Sequence, residues 1–386
     1  MRRPLTFTPL TRDPERILVT ALCPIGDTLL LTPALALLRG RYPAAHITVV
    51  LSPSNEGILL DNPSVDARLL VPERGEEAEA TRFARGVRCL SEERPDLIIN
   101  FSTLGTWVAR AAALRAPTLG LAMPWLWGLL GTGAEGSNAE VYRSRHAIDQ
   151  YFKVIEPIAP TPSDPQARTP RFYMTPESRR AARALLVADG VRPGDTLVTM
   201  HVGGDGFDGR KRWAPERFAR VANYLVERFD ARIVLVGGKA DIPMSNTATA
   251  LIRGHVHSLA GKTPLNVTGA LIEASSLFIG NDSCPLHIAA AVGTPSVGVF
   301  GPSDWTEFHP VGAPGYRSRV VHSDLPCAPC FRFVGNKPLW QVSTCYSYAC
   351  LKTLDARRVM EAAVELLQDA VTQETREPAT APEKRY

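Results

Sequence analysis

RILVTALCPIGDTLLLTPALALLRGRYPAAHITVVLS, residues 16–52, decides the fold class. Its first seven residues are an apolar run rich in β-branched side chains, the composition of a strand covered on both faces. CPIGDT reads as a turn, LLLTPALALLRGRY as a helix and HITVVLS as a second strand. A strand, a helix and a strand on short connections form a βαβ unit, the building block of an open parallel sheet. The same alternation continues outward, with a strand over 67–71, a helix near 76–90 and a strand over 96–101 after the Arg94–Pro95 turn.

Between 157 and 176 the alternation stops. PIAPTPSDPQARTPRFYMTP holds six prolines in twenty residues, which excludes a helix and favours an extended crossing. A second series follows. Helices are expected over 176–189, 215–229, 266–274, 285–292 and 355–372, and strands over 196–201, 232–237, 256–259, 277–279 and 296–300. The expected organisation is an N-terminal domain over 1–175, ending in a linker at about 157–176. A C-terminal domain then spans 176–371, followed by a polar tail over 372–386. Both domains belong to the α/β class with parallel sheets.

A chain of 386 residues is too long for one compact core and suits two domains. The net charge of +4 is far from the concentrated basic surface of a nucleic-acid binder, so no nucleic-acid partner is expected. No run approaches the ~20 apolar residues of a membrane-spanning helix. The opening MRRPLTFTPLTRDPER has no apolar core of a secretory signal, and seven cysteines, an odd number, suit a reducing compartment. A cytoplasmic location is the expectation.

Open α/β sheets bind ligands beyond the carboxyl ends of their strands, and three segments fall there. In the first, Gly26 permits a tight turn before Asp27. Spacing alone favours Asp27 as a helix cap, with general base as the alternative role. The second is HVGGDGFDGRKRWAPERF, residues 201–218. It sets His201, Gly203 and Gly204 ahead of Arg210, Lys211 and Arg212, and suits either a diphosphate clamp or a solvated basic loop. It lacks the spacing of a P-loop. The third, GNDSCPLHIAAAVGTP over 280–295, offers Asn281, Asp282 and Ser283 as caps, Pro285 in the first turn and Gly293 past the end. A helix N-terminus at the strand ends attracts an anion. Asp282 would repel a diphosphate, so it reads as a cap or an acceptor for sugar hydroxyls. His287, on the apolar side of that helix, reads as a structural histidine, yet it is retained among the candidate donor-binding residues. The GGK turn with Gly238 and the LAGKT turn ending at Thr263 add glycine-bearing turns at the same sheet edge.

In the order and spacing of its motifs, the chain resembles the bacterial heptosyltransferases of glycosyltransferase family 9 over roughly residues 16–367. The motifs are ILVTALCPIGDTLLLTPALALLRGRYP, KRWAPERFARVA, LVGG, SLAGKTPLNV, FIGNDSCPLHIAAAVGTPSVGVFGPSD and CAPCF. This resemblance implies a GT-B architecture, two Rossmann-like domains with the active site between them. It also implies an inverting transferase that needs no metal or other cofactor. The donor would be an ADP-activated heptose, and the acceptor the lipid-linked inner core of lipopolysaccharide at the cytoplasmic face of the inner membrane. Asp27 stands where the family places its catalytic base, Lys211 near the donor diphosphate, Asp282 at a donor-site aspartate and Thr263 in the adenosine-contacting segment. Two departures bear on the donor. His201–Val202–Gly203–Gly204 replaces the usual His-Pro-Gly-Ala, and Cys284 replaces a glycine.

Cys327, Cys330, Cys345 and Cys350 form C-x₂-C-x₁₄-C-x₄-C, a spacing compatible with zinc, though free thiols or a disulfide are favoured. PWLWGLLG at 124–131, followed by Arg143 and Arg145, suggests either a peripheral membrane contact or a core helix. Three other functions fit the same residues: a GT-B transferase with another nucleotide sugar, a UDP-sugar 2-epimerase, and a non-catalytic nucleotide-sugar-binding protein. Retention of Asp27, Lys211 and Asp282 together argues against the last.

Overall fold

The computed structural model describes residues 10–71, 88, 90–101, 116–120, 135–136, 146–204, 209–330, 333–334, 337–338, 345 and 347–374. The chain forms two compact units, with the main division between Arg168 and Thr169.

In the first unit the elements run β1 (Arg16–Thr20), α1 (Ile25–Leu30), α2 (Thr32–Arg41), β2 (His46–Leu51), β3 (Ala67–Leu70), β4 (Leu97–Asn100), β5 (Thr118–Gly120), β6 (Glu135–Gly136) and α3 (Ala147–Ile155). The strands are ordered β3-β2-β1-β4-β5-β6, and the described pairs are parallel. This is the doubly wound Rossmann order. β1 and β4 are buried almost throughout, which explains why each reads as an unbroken apolar run. The helix expected from Leu29 instead begins at Ile25, so Gly26 and Asp27 lie in its first turn and no tight turn is made there. It also divides at Leu31. Pro33 has no N–H to give the Leu29 carbonyl, and the Thr32 hydroxyl donates to that carbonyl instead (2.7 Å).

The second unit comprises α4 (Pro176–Ala188), β7 (Leu197–His201), α5 (Pro215–Phe229), β8 (Arg232–Leu235), α6 (Ile242–Leu251), β9 (Val256–Ser258), α7 (Leu265–Glu273), β10 (Leu277–Asn281), α8 (Cys284–Val292), β11 (Ser296–Phe300), α9 (Trp305–Phe308), β12 (Ser318–His322), α10 (Ala349–Lys352) and α11 (Ala356–Glu374). Its sheet, β12-β11-β10-β7-β8-β9, is parallel and repeats the order of the first unit. The α5 sequence starts with Pro215 and presents Phe218, Ala219, Val221, Ala222 and Leu225 to the interior, the spacing of an apolar helix face. Those side chains share one core with β7, β8, α6 and α11, and Trp213 lies fully buried in it.

Residues 169–175 are not a loose linker. Phe172 and Met174 are buried against Gly269 of α7, which fixes this segment to the second unit and moves the division a few residues ahead of the expected one. The expected helix near 76–90 falls almost wholly outside the described residues, as do 375–386 of the expected tail.

Candidate active site

In the second unit the strand order reverses between β7 and β10, and the crevice at such a reversal is where doubly wound sheets take their ligands. Three connections end there. The loop after β7 carries Gly203 and Gly204, the loop after β8 carries Gly238 and Asp241, and the β10–α8 junction carries Asp282 and Ser283.

One buried carboxylate joins them. Asp241 accepts the amide protons of Gly204 (2.9 Å) and Gly238 (2.8 Å). His201, at the end of β7, donates Nε2–H to the same carboxylate (3.2 Å). Its other ring nitrogen, Nδ1, is hydrogen-bonded to the Ser283 hydroxyl (2.9 Å). Burial alone would raise the Asp241 pKa. The hydrogen bond and charge of His201, with the two amides, outweigh it and hold the carboxyl far below the usual carboxylate range. A Cβ on Gly203 would run into the Asp241 carboxyl, so only glycine lets this backbone approach.

Asn281 ties the loop to the strand from the other side. Its amide donates to the Gly203 carbonyl (2.7 Å) and accepts the Trp213 N–H (3.1 Å), while Arg212 Nε donates to the Gly204 carbonyl (2.7 Å). Trp213, fully buried, thus roots the basic segment in the core.

Lys211 Nζ donates to Asp282 Oδ2 (2.7 Å), an ion pair in which the carboxylate side chain is only 4% exposed. Burial pushes the Asp282 pKa up, but the Lys211 charge and hydrogen bond prevail, and the group stays ionised. Its charge is therefore offset by lysine, which removes the repulsion toward a diphosphate that the sequence suggests. His287 is buried beside this pair. Desolvation lowers its pKa to about 4 against the opposing pull of Asp282, so the ring is neutral at pH 7.

The expected caps are corrected by this geometry. Ser283 is the N-cap residue of α8, yet its side chain makes no capping bond. Asn281 is the last residue of β10, and Asp282 is committed to Lys211. Each side chain has a longer-range partner that outcompetes the local amides. Thr263 bonds to the Thr268 hydroxyl (2.8 Å), and its turn is joined to the GGK turn by the Gly261 N–H and Gly237 carbonyl (2.8 Å).

In the first unit the reversal lies between β1 and β4, and Asp27 stands just past β1. Asp27 is not the cap expected from its spacing, because Pro24 occupies that position and the carboxylate is in the first turn. Its Oδ1 accepts the Tyr151 hydroxyl proton (2.9 Å). Asn55, buried, fixes the preceding loop by donating to the Cys23 carbonyl (2.8 Å) and the Thr28 hydroxyl (2.7 Å). Asp241, Tyr151 and Asn55 carry no sequence signal, since the contacts that bring them to the site, with His201 and Gly204, with Asp27, and with Cys23 and Thr28, each span 27 or more positions.

Among the described residues no disulfide joins Cys327, Cys330, Cys345 and Cys350. Among the described residues no group of three or more His, Cys, Asp or Glu is placed to hold a metal ion. Nor is any described helix long and apolar enough to cross a membrane. Residues 124–131, Arg143 and Arg145 lie outside the described residues.

Known proteins were compared with this site and fold. The family described as glycosyltransferase family 9 (heptosyltransferase) matches residues 136–340, just over half of the chain. Lipopolysaccharide heptosyltransferase 3 of Escherichia coli K12 is 28% identical over 298 residues, covering 73% of this chain and 83% of its own. A crystal structure of a glycosyl transferase family 9 protein from Veillonella parvula superposes with a TM-score of 0.78 at 25% identity, over 92% of this chain and 98% of that one. The E. coli ADP-heptose lps heptosyltransferase II shares the fold, with a TM-score of 0.70 at 20% identity over 92% and 99% of the two chains.

Proposed function

This chain belongs to glycosyltransferase family 9 and is a glycosyltransferase of the GT-B architecture; we propose that it moves a heptose from an ADP-activated donor to a lipopolysaccharide core, with inversion and without a metal ion. The reading of donor and acceptor draws on the E. coli relatives, one a lipopolysaccharide heptosyltransferase and the other described by its ADP-heptose substrate. It puts the reaction in the cytoplasm, at the inner face of the membrane that holds the acceptor.

The observation that carries the reading is the Lys211–Asp282 pair set beside the α8 N-terminus and the Asp241-bound glycine loop. A leaving nucleoside diphosphate gains negative charge as its bond to the anomeric carbon breaks. An oriented ammonium, the Arg212 guanidinium and the partial positive charge at a helix start all stabilise that charge. In this reading Asp282 keeps Lys211 charged and aimed, and Gly203, Gly204, Gly238 and Thr263 line the nucleotide side. Asp27 takes the proton of the acceptor hydroxyl as its oxygen bonds to the anomeric carbon. ADP departs from the opposite face with the electron pair of the broken bond. An alkoxide is too costly to form beforehand at neutral pH, so proton removal runs with attack.

The test is ligand choice followed by product analysis. ADP-heptose should raise the melting temperature of the protein well above any shift from UDP-N-acetylglucosamine, because a ligand bound only by the folded state stabilises it. ADP release should depend on a lipopolysaccharide inner-core acceptor and continue in excess EDTA. Preferential stabilisation by the UDP-sugar, with a 2-epimer formed in the absence of acceptor, would replace this reading by that of an epimerase.

A further inference from the structure

Asp27 has a partner 124 positions away, and the construction of that contact suggests a role. Tyr151 occupies the middle of α3, only 5% exposed. Its ring meets Phe101 edge-on, with centroids 5.5 Å apart and planes at 89°. Phe101 is itself buried at the end of β4, next to β1 in the sheet. The phenol is therefore held by the core, with its hydroxyl delivered to Asp27 Oδ1 at 2.9 Å.

We propose that Tyr151 is a positioning residue for the transfer reaction, orienting the Asp27 carboxylate toward the acceptor proton through the hydrogen bond it donates. This rests on the reading of Asp27 as the base. A hydrogen bond donated to a carboxylate favours its charged form, and a buried donor packed edge-on against a second ring fixes the direction in which the carboxylate points. The charged groups of the elements packed against α1 have partners of their own. Arg39 pairs with Asp66, Arg41 with Asp13, Glu56 with Arg68, Asp149 with Arg168, and Lys153 with Glu156. Tyr151 is thus a neutral donor directed at Asp27.

The experiment measures kcat/KM against pH for transfer from ADP-heptose to a lipopolysaccharide inner-core acceptor. It compares the wild type, Tyr151→Phe, 3-fluorotyrosine at position 151 and Asp27→Asn. Tyr151→Phe keeps the ring and its stacking, and thermal melting checks that it folds. Its acidic limb is expected to move up by about one pH unit, with kcat about tenfold lower, as a lost hydrogen bond to a charged group implies. The more acidic fluorophenol is a stronger donor and should move that limb the other way, a shift that a merely structural role would not produce. If Asp27→Asn is inactive while the Tyr151→Phe and fluorotyrosine profiles superpose on the wild type, the role of Tyr151 is overturned and the base assignment stands. Normal turnover in Asp27→Asn would overturn the base assignment and this inference together.

Discussion

His287 illustrates how the donor-side chemistry is set residue by residue. It is buried beside an ionised aspartate and a charged lysine, and its Nδ1 has no hydrogen-bond partner among the described residues. Burial governs, and the ring stays neutral. Its folded pKa of about 4 lies below the ordinary histidine value of about 6.5, so the unfolded chain binds the extra proton first as pH falls. Stability is therefore lost on acidification from about pH 6.5 toward pH 4. Between pH 7 and pH 5 this one residue accounts for about 2 kcal/mol. Urea unfolding of His287→Leu should show that much less loss over the same interval than the wild type, and parallel losses would show that His287 is not the source. At the neighbouring pair the balance tips the other way, because Lys211 sits against Asp282 and keeps the carboxylate charged.

At the scale of elements, strand ends of the second unit are joined by one carboxylate. Asp241 holds the loops after β7 and β8 through two amides, and His201 passes the connection to the start of α8. Gly203→Ala would insert a methyl group where that carboxyl sits. The expected cost is about 1–3 kcal/mol of stability, the range for overpacking a filled site. ADP affinity should also fall at least tenfold, read by calorimetric titration, and unchanged affinity would separate this web from nucleotide binding. The elements that could be read from sequence share one trait: β1, β7, β10 and β11 are buried along nearly their whole length and appear as apolar runs. α5 was equally plain, from Pro215 to the left-handed Asp230 that ends it. α6, IPMSNTATAL, was missed because small polar residues blur its helical period, and β12, SRVVH, because only one of its five residues is buried. Motifs located Lys211, Asp282 and His201. They could not show Asp241 or Tyr151, whose contacts exist only once distant strands and helices are assembled.

On the scale of the whole molecule, one topology is used twice. Each unit builds the same parallel strand order, and each places its chemical groups at the reversal of that order. The alternation of apolar runs and helical segments in both halves of the sequence carries this repeat. The first unit contributes a carboxylate held by a tyrosine. The second contributes cations, a helix start and a glycine loop. Proton removal from one substrate and charge stabilisation on the other are separable tasks, and the proposed transfer would draw them from separate units. The proposed transfer thus depends on Asp27 for the rate of the chemical step and not for hold on the nucleotide. The decisive measurement is single-turnover heptose transfer by Asp27→Ala, run alongside an ADP titration of the same variant. The expected result is a rate lower by about 10²-fold or more with ADP affinity unchanged. A rate close to that of the wild type would contradict the account.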